Sequence, residues 1–279
     1  MEFTQWSLRD KGVPMEIVLS MVMIILGFIG SFFSGLLGIG GAIINYPLLL
    51  FVPSSLGVAT FTAQEVAGIS IFQVFFASLA GVVAYRRRSK KSKSPSLIHK
   101  GLVLNMGISI LLGSLLGGYV SGFLVGDTIN IIYGILAIVA IVLMVIPNKG
   151  KQQDDSGEIT YNRTIAIVAA FLTGIVSGIV GAGGAFILIP IMLTVLKIPT
   201  RTTIASSLAI VFISAIGGVI GKMTGGPIPF MPTLFTVIGS LLGAPLGSYI
   251  SAKMNVKYLR YALVVLISLT AIKIWMSIL

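Results

Sequence analysis

Apolar residues in this chain come in long runs, at about 16–37, 42–52, 60–85, 101–124, 128–147, 164–181, 185–196, 202–222, 233–252 and 257–279. Most are long enough for a helix to cross a bilayer, which takes roughly 20 apolar residues. Polar and apolar positions do not alternate in ten-residue stretches, so the pattern predicts helices and not a lipid-facing β-barrel. The runs 42–52 and 185–196 are too short to cross. About 11 helical residues rise only about 16 Å, against a hydrocarbon core of about 30 Å. The predicted fold is an all-α polytopic membrane protein.

Each short run follows a break, and the two breaks are alike. Residues 34–47 read SGLLGIGGAIINYP and residues 177–190 read SGIVGAGGAFILIP. Further on, LLGSLLGGYVSG at 111–122 matches LLGAPLGSYISA at 241–252, and Tyr133 falls opposite Tyr261. The chain is therefore read as a duplicated unit, an arrangement common in secondary transporters. Its predicted parts are an N-terminal tail at 1–15, a first repeat at 16–147, a linker at 148–163 and a second repeat at 164–279.

Charge bears on how the repeats face. The basic block RRRSKKSKSPSLIHK at 86–100 lies between two apolar runs, where lysine and arginine are held on the cytoplasmic side during insertion. The net charge of +11 is accordingly read as a topology signal with contact to anionic lipid, and not as a nucleic-acid surface. Suppose each short run and its predecessor form a broken or re-entrant helix pair that returns to its starting side. Three transmembrane helices then follow in each half, and the second repeat is inverted. The 86–100 and 148–163 loops become cytoplasmic, both termini lie outside, and only Arg9, Lys11 and Lys222 remain outside. If each pair is instead one broken crossing, the repeats are parallel, and Lys197, Arg201, Lys253, Lys257 and Arg260 move outside. The positive-inside bias favours inversion.

Composition agrees with lipid as the solvent. The chain is 56% hydrophobic and 10% charged, with a mean hydropathy of +1.05, whereas soluble domains are about a quarter charged. No cysteine is present, which removes disulfides and thiolate sites. His99 is the single histidine, too few for a dyad, and no metal site is expected. Gly38 and Gly40 lack the third glycine of a dinucleotide loop, because Ile43 stands there, and no Gly-Lys-Ser/Thr follows either break. No cofactor is expected, and no removable signal peptide.

The candidate chemistry lies at the breaks. A helix interrupted in hydrocarbon leaves N–H and C=O groups unpaired, at several kcal/mol each, unless protein or water surrounds it. Gly38, Gly40 and Gly41, with Gly181, Gly183 and Gly184 in the second copy, let the backbone reverse and approach a ligand. The helices restarting at Ala42 and Ala185 present N-termini, and two of these from inverted halves would make a midplane site for a small anion. Gly113, Gly117, Gly239, Gly243 and Gly247 stand at the small-xxx-small spacing of helix packing instead.

Asn45 follows the first break within a turn, and Leu188 holds the matching place, so the predicted site is asymmetric. Gln73 adds a polar group. Ser206 and Ser207 either donate to ligand oxygens or bond back to their own helix. Glu65 is the one carboxylate that could fall within a membrane segment. It is a proton carrier if interior and a solvated group if interfacial. Gln64, Arg201 and Thr202, near helix starts, are candidates for gating or attracting an anion; for Arg201 the alternative is a topology charge.

These paired SGxxGxGGAxxxxP motifs, each followed by a polar-starting helix, resemble the TauE/SafE family, that is, the sulfite exporter or toluene sulfonate uptake permease family. The similarity covers essentially the whole chain. It implies a multi-pass protein of the bacterial inner membrane that moves a sulfur-containing anion of the sulfite, thiosulfate or organosulfonate class. A transporter of a non-sulfur organic anion and an anion channel of the same architecture are the alternatives. An intramembrane enzyme would need a zinc motif, a serine paired with lysine or histidine, or two intramembrane acids, and none is visible.

Overall fold

The computed structural model describes residues 14–37, 42–91, 98–145, 161–225, 228–251, 253–254 and 256–278. The described chain is helical, with helices close to the predicted runs. The first half comprises α1 (Met15–Leu37), α2 (Ala42–Ser55), α3 (Ala63–Lys91), α4 (Lys100–Val120) and α5 (Gly126–Val145). The second comprises α6 (Arg163–Val180), α7 (Ala185–Pro190), α8 (Thr200–Gly225), α9 (Phe230–Ser251) and α10 (Val256–Ile278). A π-helical turn, Ile191–Val195, continues α7. Among the described residues, seven helices, namely α1, α3, α4, α5, α6, α8 and α9, are long and apolar enough to cross a membrane. The protein is an all-α polytopic membrane fold.

Helices in lipid gain little from mutual apolar burial and associate through close packing, which small residues permit. That packing also reveals direction. Along α1 and α9, Gly27 faces Thr236 and Gly35 faces Ala244 and Ser248, so the two run parallel. Along α3 and α9, Gly68 meets Ile228 and Gly81 meets Ser248, again parallel. Consequently α1 and α3 point the same way, and the chain comes back between them through α2. Gly113 faces Phe171 and Gly117 faces Ile175 between α4 and α6; Gly217 faces Leu111 and Gly221 faces Leu115 between α8 and α4. Thus α6 and α8 also point the same way, with α7 returning.

At the centre, α3 and α8 cross in opposite directions. Gly81 approaches Leu208, Gly218 approaches Ile71, and the Phe75 and Phe212 rings lie 5.3 Å apart between these contacts. The contacts exchange when the halves are swapped: α1 packs on α9 as α6 packs on α4, and α3 on α9 as α8 on α4. The glycines expected to serve packing do so. A methyl group at Gly113, Gly117, Gly239, Gly243 or Gly247 would run into a backbone carbonyl of the helix opposite.

Candidate functional site

Three elements of the first half bring polar side chains to one buried point. On α1, Gly27, Gly30, Ser31 and Ser34 share a face at helical spacing, and Ser70 and Gln73 share one on α3. Asn45 enters from the first turn of α2. Gln73 donates its Nε2 to the Gly27 carbonyl at 3.0 Å and contacts the Ser31 hydroxyl at 3.2 Å. The space that a side chain at Gly30 would fill is occupied by the Asn45 carboxamide, with the Gln73 Nε2 3.1 Å from the same point. Asn45 is 1% exposed and Gln73 0%.

Much of this cluster's hydrogen-bonding capacity is unused. Among the described residues, Nδ2 and Oδ1 of Asn45 and Oε1 of Gln73 have no partner; nor do the hydroxyls of Ser34 and Ser70, each one turn along its helix from Ser31 or Gln73. Leaving a polar group buried and unpaired costs about 1–3 kcal/mol, so such groups in a folded chain call for a ligand, ion or water. The cluster is also central along the helices, since Gln73 lies two residues from Phe75 at the α3–α8 crossing. Ser31 was not singled out in the sequence, although it stands three residues before Ser34 of the repeated motif.

The second break is described in full. Gly181, Gly183 and Gly184 have φ of 76°, 63° and 78°, a left-handed region that costs other residues roughly 1–2 kcal/mol. Gly181 caps α6 by donating its N–H to the Ser177 carbonyl. A side chain at Gly183 would strike Val74 and Val211, the residues just before the crossing phenylalanines, so this break reaches the centre. The buried Ser177 and Thr173 of α6 stand beside Gly184, with the Ser177 hydroxyl donating to the Gly174 carbonyl at 3.1 Å. Leu188 matches Asn45 and, counted from the crossing pair, Ile210 matches Gln73; both are fully buried in an apolar cluster. Ala185 starts α7 and Ala42 starts α2, as expected. Gly38, Gly40 and Gly41 of the first break lie outside the described residues.

The remaining expected site residues are dispersed. Ser206 accepts a hydrogen bond from the His99 N–H at 3.0 Å, and Ser207 donates to the Ile204 carbonyl at 3.0 Å. Both serines are buried but are held by loop and helix backbone, away from Asn45 and Gln73. Thr202 is buried in the first turn of α8, and Arg201 lies in the same turn. Glu65 closes a capping box at the start of α3: its Oε2 accepts from the Thr62 N–H at 2.8 Å and the Thr62 hydroxyl at 2.9 Å. Of the two positions left open for it, the structure gives the helix end. Gln64 donates to the Leu124 carbonyl at 2.7 Å. His99 caps α4, its Nδ1 accepting from the Leu102 N–H at 3.1 Å.

Lys222, assigned from the sequence to the outer side, is 5% exposed near the end of α8. Its Nζ donates to the Ile179 carbonyl at 3.0 Å, in the last turn of α6. Nothing in the sequence distinguished it, because a lysine near the end of an apolar run usually marks the interface.

A polytopic helical protein with a buried, under-bonded polar cluster between a helical hairpin and a central helix is the class that fold and site define. The family model for the sulfite exporter TauE/SafE matches residues 23–274, and the chain belongs to that family of membrane transporters. It is similar to the probable membrane transporter protein YunE of Bacillus subtilis, 27% identical over 85% of this chain and 90% of the relative. It is also similar to the probable membrane transporter protein MJ0441 of Methanocaldococcus jannaschii, 28% identical over 88% of this chain and 92% of the relative. No solved structure matches the chain.

Proposed function

We propose that this protein is a secondary transporter of a small sulfur-containing anion, of the sulfite, thiosulfate or organosulfonate class, in the cell membrane. The observation that carries the reading is the pair of buried amides, Asn45 and Gln73, with unpaired atoms at the level where α3 and α8 cross. The Asn45 amide and the Ser34 and Ser70 hydroxyls supply donors for anionic oxygens. The Gln73 Oε1 can accept from a protonated oxygen of the same ligand. The start of α2 adds backbone N–H groups and the positive end of its dipole. The sulfur class rests on the family description.

Two inverted-topology repeats, each a re-entrant helix pair followed by three transmembrane helices, are the architecture proposed around this site. The antiparallel α3–α8 crossing, the returning α2 and α7, and the matching contacts of the two halves support it. With the basic 86–100 loop on the cytoplasmic side, the ends of α4 and α8 at Val120 and Gly225 face outward, as do both termini. Rocking of one repeat against the other about the crossing would expose Asn45 and Gln73 to each side in turn.

The direct test is binding of sulfite, thiosulfate and a sulfonate to purified protein, followed by thermal unfolding. A ligand of the folded state stabilises by mass action, about 2.7 kcal/mol at a hundredfold excess over its dissociation constant. Stabilisation that depends on Asn45 and Gln73 supports the site. Stabilisation by carboxylates alone would transfer it to non-sulfur anions. Flux that follows the anion's own gradient, indifferent to proton and sodium gradients, would make it a channel.

A further inference from the structure

The central cluster offers oxygen atoms that an anion cannot use. Gln73 commits both amide hydrogens, to the Gly27 carbonyl at 3.0 Å and the Ser31 hydroxyl at 3.2 Å. Turning the amide over would set its oxygen against the Gly27 carbonyl, so the unpaired atom is Oε1. Asn45 has no partner at either end of its carboxamide, so its oxygen is free whichever way the group is turned. Two buried carbonyl oxygens therefore lack a donor, and the unprotonated oxygens of an anion would repel both.

Charge points the same way. A buried charge is stable only when it is paired, and among the described residues no basic side chain is placed to pair with an anion in this cluster. The helices α1, α2, α5 and α9 carry no lysine or arginine. On α3 the first is Arg86, more than three turns beyond Gln73 and roughly 20 Å away by helical rise. On α8, Arg201 and Lys222 stand on either side of the Phe212 crossing, each roughly 15 Å along the helix. Lys273 of α10 lies over the Phe51 ring, near the far end of α2. The described buried side chains include no carboxylate, and Glu65 is committed to its capping box. The compensating cation must come from solution. Neutral oxygens suit a hard monovalent ion, whereas divalent ions take carboxylates as well.

We infer that the central cluster holds a sodium ion beside the anion, with Asn45 Oδ1 and Gln73 Oε1 among its ligands and an oxygen of the anion as another. The ion takes the two acceptors that the anion leaves and offsets its charge, so each raises the affinity for the other. Transport is then driven by the sodium gradient and needs no intramembrane acid. The pairing of the two ions rests on the proposed anion site, whereas the free oxygens stand without it.

The unfolding temperature is measured for wild type, Asn45→Leu and Asn45→Asp in sodium chloride and in choline chloride at equal concentration, then with choline thiosulfate added. Sodium alone should raise the wild-type temperature by several degrees over choline, and thiosulfate affinity should be at least tenfold higher in sodium. Asn45→Leu should lose both effects. Asn45→Asp retains the oxygen and adds negative charge, so it should keep the sodium effect and lose that of thiosulfate. Equal behaviour of the wild type in sodium and choline overturns the inference even if thiosulfate binds. So does a sodium effect that survives in Asn45→Leu or vanishes in a folded Asn45→Asp. If sodium stabilises through Asn45 while thiosulfate, sulfite and sulfonates do nothing, the anion reading falls and the cation site survives.

Discussion

Asn45 and Gln73 converge on one point, the bare α-carbon of Gly30, from a hairpin helix and from the central helix α3. Gly30→Ala would push a methyl group into the Asn45 carboxamide. The substitution removes a helix-interior glycine, worth roughly 0.5–1 kcal/mol in favour of the variant, against the displacement of a side-chain end. Unliganded stability should therefore change little while anion affinity falls at least tenfold. Thermal unfolding with and without thiosulfate checks both, and an unaltered ligand shift would remove Asn45 from the site.

The second break responds differently, because its glycines are required by conformation. Gly181→Ala places a side chain at φ 76° and against the Ala67 carbonyl. The backbone term alone is roughly 1–2 kcal/mol, and the clash adds to it. The variant should unfold several degrees lower in detergent or fail to accumulate. Gly183→Leu meets Val74 and Val211 and should also lose stability. A normally stable Gly181→Ala protein would mean that the hairpin turn is not as described.

Glu65 separates two roles. Its carboxylate holds the Thr62 N–H and hydroxyl in the capping box, and losing a cap costs about 0.5–2 kcal/mol. Glu65→Ala should destabilise by that amount, whereas Glu65→Gln retains an acceptor and should be close to wild type. In proteoliposomes, Glu65→Gln should keep whatever response to a proton gradient the wild type has. Disappearance of that response would place proton coupling at Glu65.

Ser206 accepts from the His99 N–H, which joins α8 to the start of α4. Ser206→Ala should cost about 1 kcal/mol and leave anion affinity within twofold. A large loss of affinity without loss of stability would return Ser206 to the binding residues.

The described helices could be placed in the sequence to within a few residues at most ends, because apolar runs in lipid must be helical. The packing glycines were legible too, since their four-residue spacing has a single geometric use. Which side chains meet was much less so. Gln73, Ser206 and Lys222 each sit in a helix that is apolar on nearly every side, so periodicity gives no inward direction. Their neighbours depend on crossings such as Phe75 with Phe212, between residues far apart in the chain. The asymmetry of Asn45 against Leu188 was visible in the aligned breaks, but the convergence of Asn45 with Gln73 over Gly30 was not.

The most direct measurement is the anion-induced rise in unfolding temperature for wild type and for Asn45→Leu, which installs the residue found at the matching position 188. The substitution removes two unpaired buried polar atoms, so the unliganded variant should be as stable as wild type or more so. A central site at Asn45 predicts that sulfite, thiosulfate or a sulfonate raises the wild-type temperature and leaves that of Asn45→Leu unmoved. An equal rise in both proteins would contradict it.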